Sequence, residues 1–566
     1  MKFSDMPYVR PDFEAARRDI TELTAGFLAA ESFEAADGVF LAMNELSSKL
    51  DTMFSIAYVR NSINTADDFY DAEMKYLDEQ GPMLQEHLQN WTNALLASPF
   101  RAQLEEKYGR LMFVNAEMSL KTFSPEIIGE LQQENRVEAD YVKLIASAQI
   151  PFEGGTYTIS QLSPLKQDAD DRRRRAAWDA EGNFYNENSE KLDEYYDELV
   201  RLRDTMAKKL GYESYVTLGY YRMTRNSYSR EDVERFREAV VRHVVPVADR
   251  IYRQQAARTG ASYPLTFADA ALMFRSGNAR PQGTPEDILA HGRKFYHELS
   301  PETAEFIDFM YDNELLDVLS RKGKAAGGYC TSLPEYKAPI IFANFNGTSH
   351  DVEVITHEAG HAFAGYTARN IVPLENQSPT LESCEIHSMS MEFFAWPWEE
   401  GFFGKDTDKF YYSHLAGALT FIPYGTLVDH FQHVVYEKPQ LTPAERHGVW
   451  RELLGVYMPW MKLGEVPFYG EGKGWQRQTH IYRRPFYYID YCLAQTVALQ
   501  FWALMMHDRR EAWQAYMKLV RLAGTRSFTE LVAAAGLDTP FGDGALATVC
   551  RAANDWLDAF DAEKLK

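Results

Sequence analysis

From Pro11 to about Ile150 the apolar residues recur three and four positions apart, as in Ile20, Leu23, Phe27 and Leu28, with few glycines between them. That period lines one face of a helix, so the stretch predicts successive amphipathic helices. Between Ile150 and Leu165 the pattern changes to Pro151-Phe-Glu-Gly-Gly-Thr-Tyr-Thr-Ile-Ser160, glycine-containing and β-branched, which predicts a short strand or hairpin. A soft boundary follows, giving a helical N-terminal region over 1–185 and a second region over 186–566, an arrangement also compatible with one compact body. The loop Ser276 to Thr284 ends in Thr284-Pro285-Glu286-Asp287, an N-cap, a proline at the first helical position and an acidic first turn. Helices resume from there to about Lys322. The expected class is mainly α.

Composition narrows the partners. The 566 residues carry 59 Lys+Arg against 82 Asp+Glu, a net charge of −23, which opposes both nucleic acid and an anionic membrane surface. The run Asp168-Ala-Asp-Asp-Arg-Arg-Arg-Arg175 does not change this, because Asp168, Asp170 and Asp171 each stand four residues before an arginine, the spacing of ion pairs on a solvated helix face. Hydrophobic residues at 45% supply a large core. The four cysteines form no CxxC pair, so neither a disulfide framework nor a thiolate metal site is expected. The N-terminal residues lack an apolar export signal, and the most apolar stretch, Tyr491 to Met506, is interrupted by Gln495 and Gln500. The expectation is a cytoplasmic protein.

The sequence His357-Glu358-Ala-Gly-His361 is an H-E-x-x-H motif. On a helix, His357 and His361 lie one turn apart on one face, where two imidazole nitrogens converge on a single Zn2+, one per chain, and Glu358 projects beside them as a general base for a zinc-activated water. Asp351 is expected to cap this helix. A third ligand is needed, and the continuation H-x-x-G-x-x-H is excluded because Ala364 and Thr367 occupy the glycine and histidine positions. Downstream, Ser378-Pro379 opens a second predicted helix on which Glu385, Met389, Glu392 and Trp396 share one face. Two acids on an apolar face need a cation or partner. Glu385 is the candidate third ligand, Glu392 a carboxylate accepting from a ligating imidazole, and Glu382 the competing ligand.

Upstream, Ala338-Pro339-Ile-Ile-Phe-Ala-Asn344-Phe-Asn346-Gly347-Thr348 reads as a strand ending in an Asn-Gly turn, its proline suited to a sheet edge or a strand start. An edge strand holds an extended peptide by its backbone, which makes Asn344, Gly347 and Thr348 candidate substrate contacts. Downstream, His480 precedes Tyr487, Tyr488 and Tyr491 at the start of another helix, and a phenol or imidazole can stabilise an oxyanion. Between lies Leu463 to Trp475, with four glycines and no phosphate-loop pattern, compatible with a closing loop or a structural linker.

Taken together, Gly328-Tyr-Cys330, Phe342 to Thr348, Asp351 to Phe363, Glu385-Ile-His-Ser-Met-Ser-Met-Glu392 and His480 followed by Pro485 to Tyr491 resemble, in content and order, the thimet oligopeptidase and oligoendopeptidase F family of zinc metallopeptidases. The resemblance is strongest from about residue 325 to 500. It implies a two-lobed helical shell around a deep channel with a small sheet, His357, His361 and Glu385 as zinc ligands, Glu358 as base, and hydrolysis of internal bonds in oligopeptides. His480 and Tyr491 match the family's transition-state donors, and the second family tyrosine falls to Tyr488 or Tyr487. The alternatives are a metallocarboxypeptidase, whose H-E-S-Q third-ligand motif is replaced here by Leu381-Glu382-Ser383-Cys384, and a non-catalytic peptide-binding protein, which would have no use for Glu358.

Overall fold

The computed structural model describes residues 1–565 apart from 322 and 326. About 72% of the chain is helical, as the apolar periodicity predicts. Two compact units form, each from three stretches of sequence: residues 1–125, 283–398 and 510–536 make the first, and 126–282, 399–509 and 537–566 the second. The units thus alternate along the chain, whereas the local pattern had suggested a single soft boundary near residue 185. Among the described residues no helix is long and apolar enough to cross a membrane.

In the first unit the N-terminal helices, beginning with Phe13–Leu28 and Phe33–Ile63, bury Phe13, Ile20, Phe27, Phe40, Trp91 and Phe113 in one core. The helix Pro285–Leu299 starts at the expected Thr284 cap, with Asp287 completing a reciprocal capping box. Helix then stops earlier than its pattern suggests. After Pro301–Asp312 the chain enters a strand, Leu316–Leu319, which forms by pairing with the strand Ala338–Phe345 and whose four residues, Leu-Asp-Val-Leu, are too few to display a period; Lys322 itself lies outside the described residues.

Strands β1 (Ile150–Phe152) and β2 (Gly155–Tyr157) form the predicted hairpin in the second unit. The sheet of the first unit contains β3 (Leu316–Leu319), β4 (Tyr329–Leu333) and β5 (Ala338–Phe345) in the order β3-β5-β4. β5 is therefore central, parallel to β3 and antiparallel to β4, and not the edge strand its proline suggested. Both its faces are covered, so it reads as a near-continuous apolar run. Pro339 is accommodated because it stands opposite Ser332 in a pair that exchanges no hydrogen bond, and the first bond toward β3 comes from the Ile341 N–H to Leu315 O at 2.9 Å. By the same alternation Cys330 and Ser332 turn their N–H and C=O groups away from β5, to the outer side of β4.

The acidic–basic run also differs from its predicted pairing. The helix begins at Asp171, so Asp168 and Asp170 lie ahead of it, and Asp170 spends its carboxylate on the Arg172 and Arg173 N–H groups. Arg173 pairs instead with Glu153 and Asp168, and Arg174, almost completely buried, with Asp171 and the Ala268 carbonyl. The glycine-containing segment 463–475 is a packed structural loop: Phe468, Tyr469 and Trp475 are buried and the Gly464 N–H bonds Gly470 O.

Buried charge organises the second unit. Arg203, fully buried, donates to Glu134 at 2.7 Å, Glu138 at 3.0 Å, the Tyr436 hydroxyl at 2.9 Å and the Tyr482 carbonyl, tying the helices 128–146 and 189–209 to the short helix Thr479–Arg483. Burial works against the Glu134 carboxylate, but Arg222 and Arg203 outweigh it and hold its pKa at about 2. The folded value lies below the ordinary one, so the stabilisation is complete above about pH 5 and is lost as pH falls toward 2. The shift corresponds to about 3 kcal/mol. In urea unfolding, the stability advantage of wild type over Glu134→Gln should shrink between pH 7 and pH 3.5; a pH-independent difference would contradict this pairing.

Candidate active site

The helix His350–Ala368 carries the H-E-x-x-H residues. Its N-cap is Ser349, one position before the helix, so Asp351 is not the cap expected of it. Asp351 is buried in the first turn and accepts from the Asn346 and Gly347 N–H groups at 2.8 and 2.7 Å, fixing the turn that leads in from β5. The Thr348 N–H and hydroxyl bond Asn346 Oδ1, and the Asn344 amide donates to Ala325 O and Gly327 O. These polar groups of Asn344, Gly347 and Thr348 are thus engaged within the chain.

One residue before the end of the motif, Gly360 meets the second helix, Leu381–Phe394, whose cap is Thr380. A Cβ at Gly360 would stand 2.7 Å from Ser388 Cα and 2.8 Å from His387 O, so only glycine permits this approach. The contact brings Glu385, 4% exposed, against both imidazoles: its Oε2 lies 3.4 Å from His357 Nε2 and 3.4 Å from His361 Nε2. Ser388 Oγ donates to the same oxygen at 3.2 Å. Glu392 Oε1 stands 2.7 Å from His357 Nδ1, leaving Nε2 directed at the cluster. Glu382 lies at the helix start, where it accepts from the Thr380 hydroxyl at 2.9 Å.

The three candidate ligand atoms lie within 4.8 Å of one another. A direct charged hydrogen bond would be about 2.7–2.9 Å, and 3.4 Å is longer. Two donor atoms each about 2.1 Å from a tetrahedral centre stand about 3.4 Å apart, so the donor set fits a metal ion. Burial works against a charged His357, yet Glu385 and Glu392 outweigh it and hold its pKa well above the ordinary value; burial would raise Glu385, and His361 and His357 instead hold it well below. The pocket therefore calls for positive charge. Burial keeps the Cys330 thiol well above its ordinary pKa, and Glu358 adds to that. A Cβ on Gly328 would stand 3.8 Å from Glu358 Oε1, which sets the start of β4 beside Glu358.

In the second unit the helix Tyr488–His507 begins after a turn held by Arg225, which bonds Asp490 at 2.8 Å and the Phe486 carbonyl, while the Phe486 N–H donates to Gln432 at 3.0 Å. Phe486 has a φ of 67°, so these bonds hold a left-handed residue in place. The turn gathers the tyrosines around His480, with ring centroids 5.1 Å away for Tyr488, 5.6 Å for Tyr487 and 5.8 Å for Tyr491. The Tyr491 hydroxyl lies 3.5 Å from His480 Nε2, at the limit of a hydrogen bond. Burial raises the Tyr488 phenol well above its ordinary pKa, keeping it a donor.

Two family profiles match the chain: Peptidase M3 N-terminal domain over residues 3–123, and Peptidase family M3 over residues 164–267 and 301–549. The chain belongs to peptidase family M3. Among solved structures, this M3 peptidase is 46% identical to one assigned to oligoendopeptidase F, with both chains fully covered and a TM-score of 0.96. PZ peptidase A with an inhibitor is 44% identical, again over both full chains, with a TM-score of 0.96. A structure assigned to oligoendopeptidase F from Bacillus anthracis str. Ames is 44% identical over 100% of this chain and 99% of its own, with a TM-score of 0.91. No curated protein matches the peptidase.

Gly360 and Ser388 were not singled out by the sequence, although both lie inside quoted motifs; a glycine one residue before a ligating histidine is the signal for close helix approach. Gly360→Ala should weaken zinc binding at least about 10-fold and destabilise the fold by about 1–3 kcal/mol. Gly417→Ala, at a position with no heavy atom within 4 Å of the added Cβ, is the control. Isothermal titration with zinc and thermal melts check this, and wild-type zinc affinity in Gly360→Ala would contradict it.

Proposed function

We propose that this peptidase is a zinc-dependent endopeptidase that hydrolyses internal bonds of oligopeptides. The observation that carries the proposal is the single carboxylate oxygen of Glu385, 3.4 Å from both imidazole nitrogens, on a motif helix that also bears Glu358. His357, His361 and Glu385 hold the ion, and Glu392 orients His357. Zinc bound there supplies Lewis acidity, which lowers the pKa of water to about 7 and polarises a carbonyl. Glu358 takes the proton of the attacking water and delivers it to the departing amide nitrogen. His480 and Tyr491, with Tyr488 or Tyr487, donate to the oxygen on which charge develops.

The peptide-backbone contact, expected at Asn344, Gly347 and Thr348, is better served by β4. The outward N–H and C=O groups of Cys330 and Ser332 offer pairing that is independent of substrate side chains, and β4 begins beside Glu358. The internal-cleavage preference is supported by the likeness to structures assigned to oligoendopeptidase F.

Mass spectrometry of peptides blocked at both ends should show internal cuts, abolished by a chelator and restored by zinc. Release of single C-terminal residues from unblocked peptides only would instead establish a carboxypeptidase. Glu358→Gln should lower kcat at least about 100-fold with zinc content unchanged, and retention of activity would refute the assigned base.

A further inference from the structure

Two residues before His480, Gln478 spans two polar groups. The Tyr424 hydroxyl donates to Gln478 Oε1 at 2.8 Å, and Gln478 Nε2 lies 2.9 Å from His480 Nδ1. We propose that Gln478 is a positioning residue that fixes the tautomer of His480, keeping the proton of the neutral ring on Nε2. The proposal rests on His480 acting as a donor in the reaction above, and adds which nitrogen carries the proton and what holds it there.

The orientation of one amide decides the matter, because its oxygen only accepts and its nitrogen only donates. Burial raises the Tyr424 phenol, so it stays protonated, and the Arg477 guanidinium lies close enough to oppose that rise. The phenol hydroxyl faces Gln478 Oε1 at 2.8 Å, which leaves the amide nitrogen toward His480. The amide oxygen then accepts from Tyr424, the amide nitrogen donates to His480 Nδ1, and the proton of the neutral imidazole sits on Nε2. That nitrogen is 3.5 Å from the Tyr491 oxygen, so an imidazole N–H and a phenol O–H stand side by side without an imidazolium. With the amide reversed, Nε2 would carry a lone pair and repel a developing oxyanion.

The test compares Gln478→Met, which removes the amide at nearly constant size, Gln478→Glu, which keeps size and both hydrogen bonds but can only accept from Nδ1–H, and His480→Ala. Turnover of an internally quenched fluorogenic peptide is measured beside 15N spectra of histidine-labelled protein, with the His480 signals assigned by their loss in His480→Asn. In wild type, Nε2 should be protonated and Nδ1 not. In Gln478→Glu the neutral ring should show the reverse. At a pH where the ring is neutral, both Gln478 variants should lose about 10- to 100-fold in kcat with KM within about 2-fold. A purely structural role would instead let Gln478→Glu rescue turnover. A wild-type proton on Nδ1, or wild-type kcat in both Gln478 variants while His480→Ala is impaired, overturns the inference and leaves the donor reading standing. Full kcat in His480→Ala overturns both.

Discussion

At Gly360 the helix bearing both imidazoles comes so close to the helix bearing Glu385 that no side chain fits between them. Every distance in the cluster follows from that approach. Glu385 is buried, an expensive position for a carboxylate, and its surroundings include two imidazoles and the Ser388 hydroxyl. A proton or a metal ion at the imidazoles would meet that charge. Glu392, bonded to the far nitrogen of His357, leaves the near one free to ligate.

The second unit meets a different requirement, that of holding the side chains around His480 still. His480 sits on the five-residue helix Thr479–Arg483 and Tyr487 on the turn after it, elements with little intrinsic stability, while Tyr488 and Tyr491 occupy the first turn of the helix Tyr488–His507. They are fixed from outside by buried arginines: Arg203 on the Tyr482 carbonyl, Arg225 on Asp490 and the Phe486 carbonyl. The charges of these arginines are matched by Glu134 and Asp490, so these buried pairs add nothing to the net acidic excess of the chain.

Much of this was legible in the sequence. The H-E-x-x-H spacing, the acid face of Glu385 and Glu392, the Thr284 capping box and the hairpin after Ile150 are local patterns, and local patterns survive into structure because i, i+3 and i, i+4 neighbours are set by helix geometry alone. What failed was non-local. The central place of β5, the strand at Leu316–Leu319 and the return of the chain between two units depend on partners far away in sequence. The Asp168–Arg175 pairs failed for a local reason: the helix starts three residues later than the spacing assumed, because Asp170 is a better cap than an ion-pair partner. Gln478 gave no signal, since a glutamine two residues before a histidine is unremarkable until a tyrosine from another helix completes the relay.

In the reading proposed above, two imidazoles and one buried carboxylate hold a metal ion. Diffraction from crystals of the zinc-loaded protein, recorded on both sides of the zinc absorption edge, tests it directly. One anomalous peak per chain is predicted, about 2.0–2.2 Å from His357 Nε2, His361 Nε2 and a Glu385 oxygen. A peak ligated by Cys330 or Cys384, or none at this cluster, would contradict it.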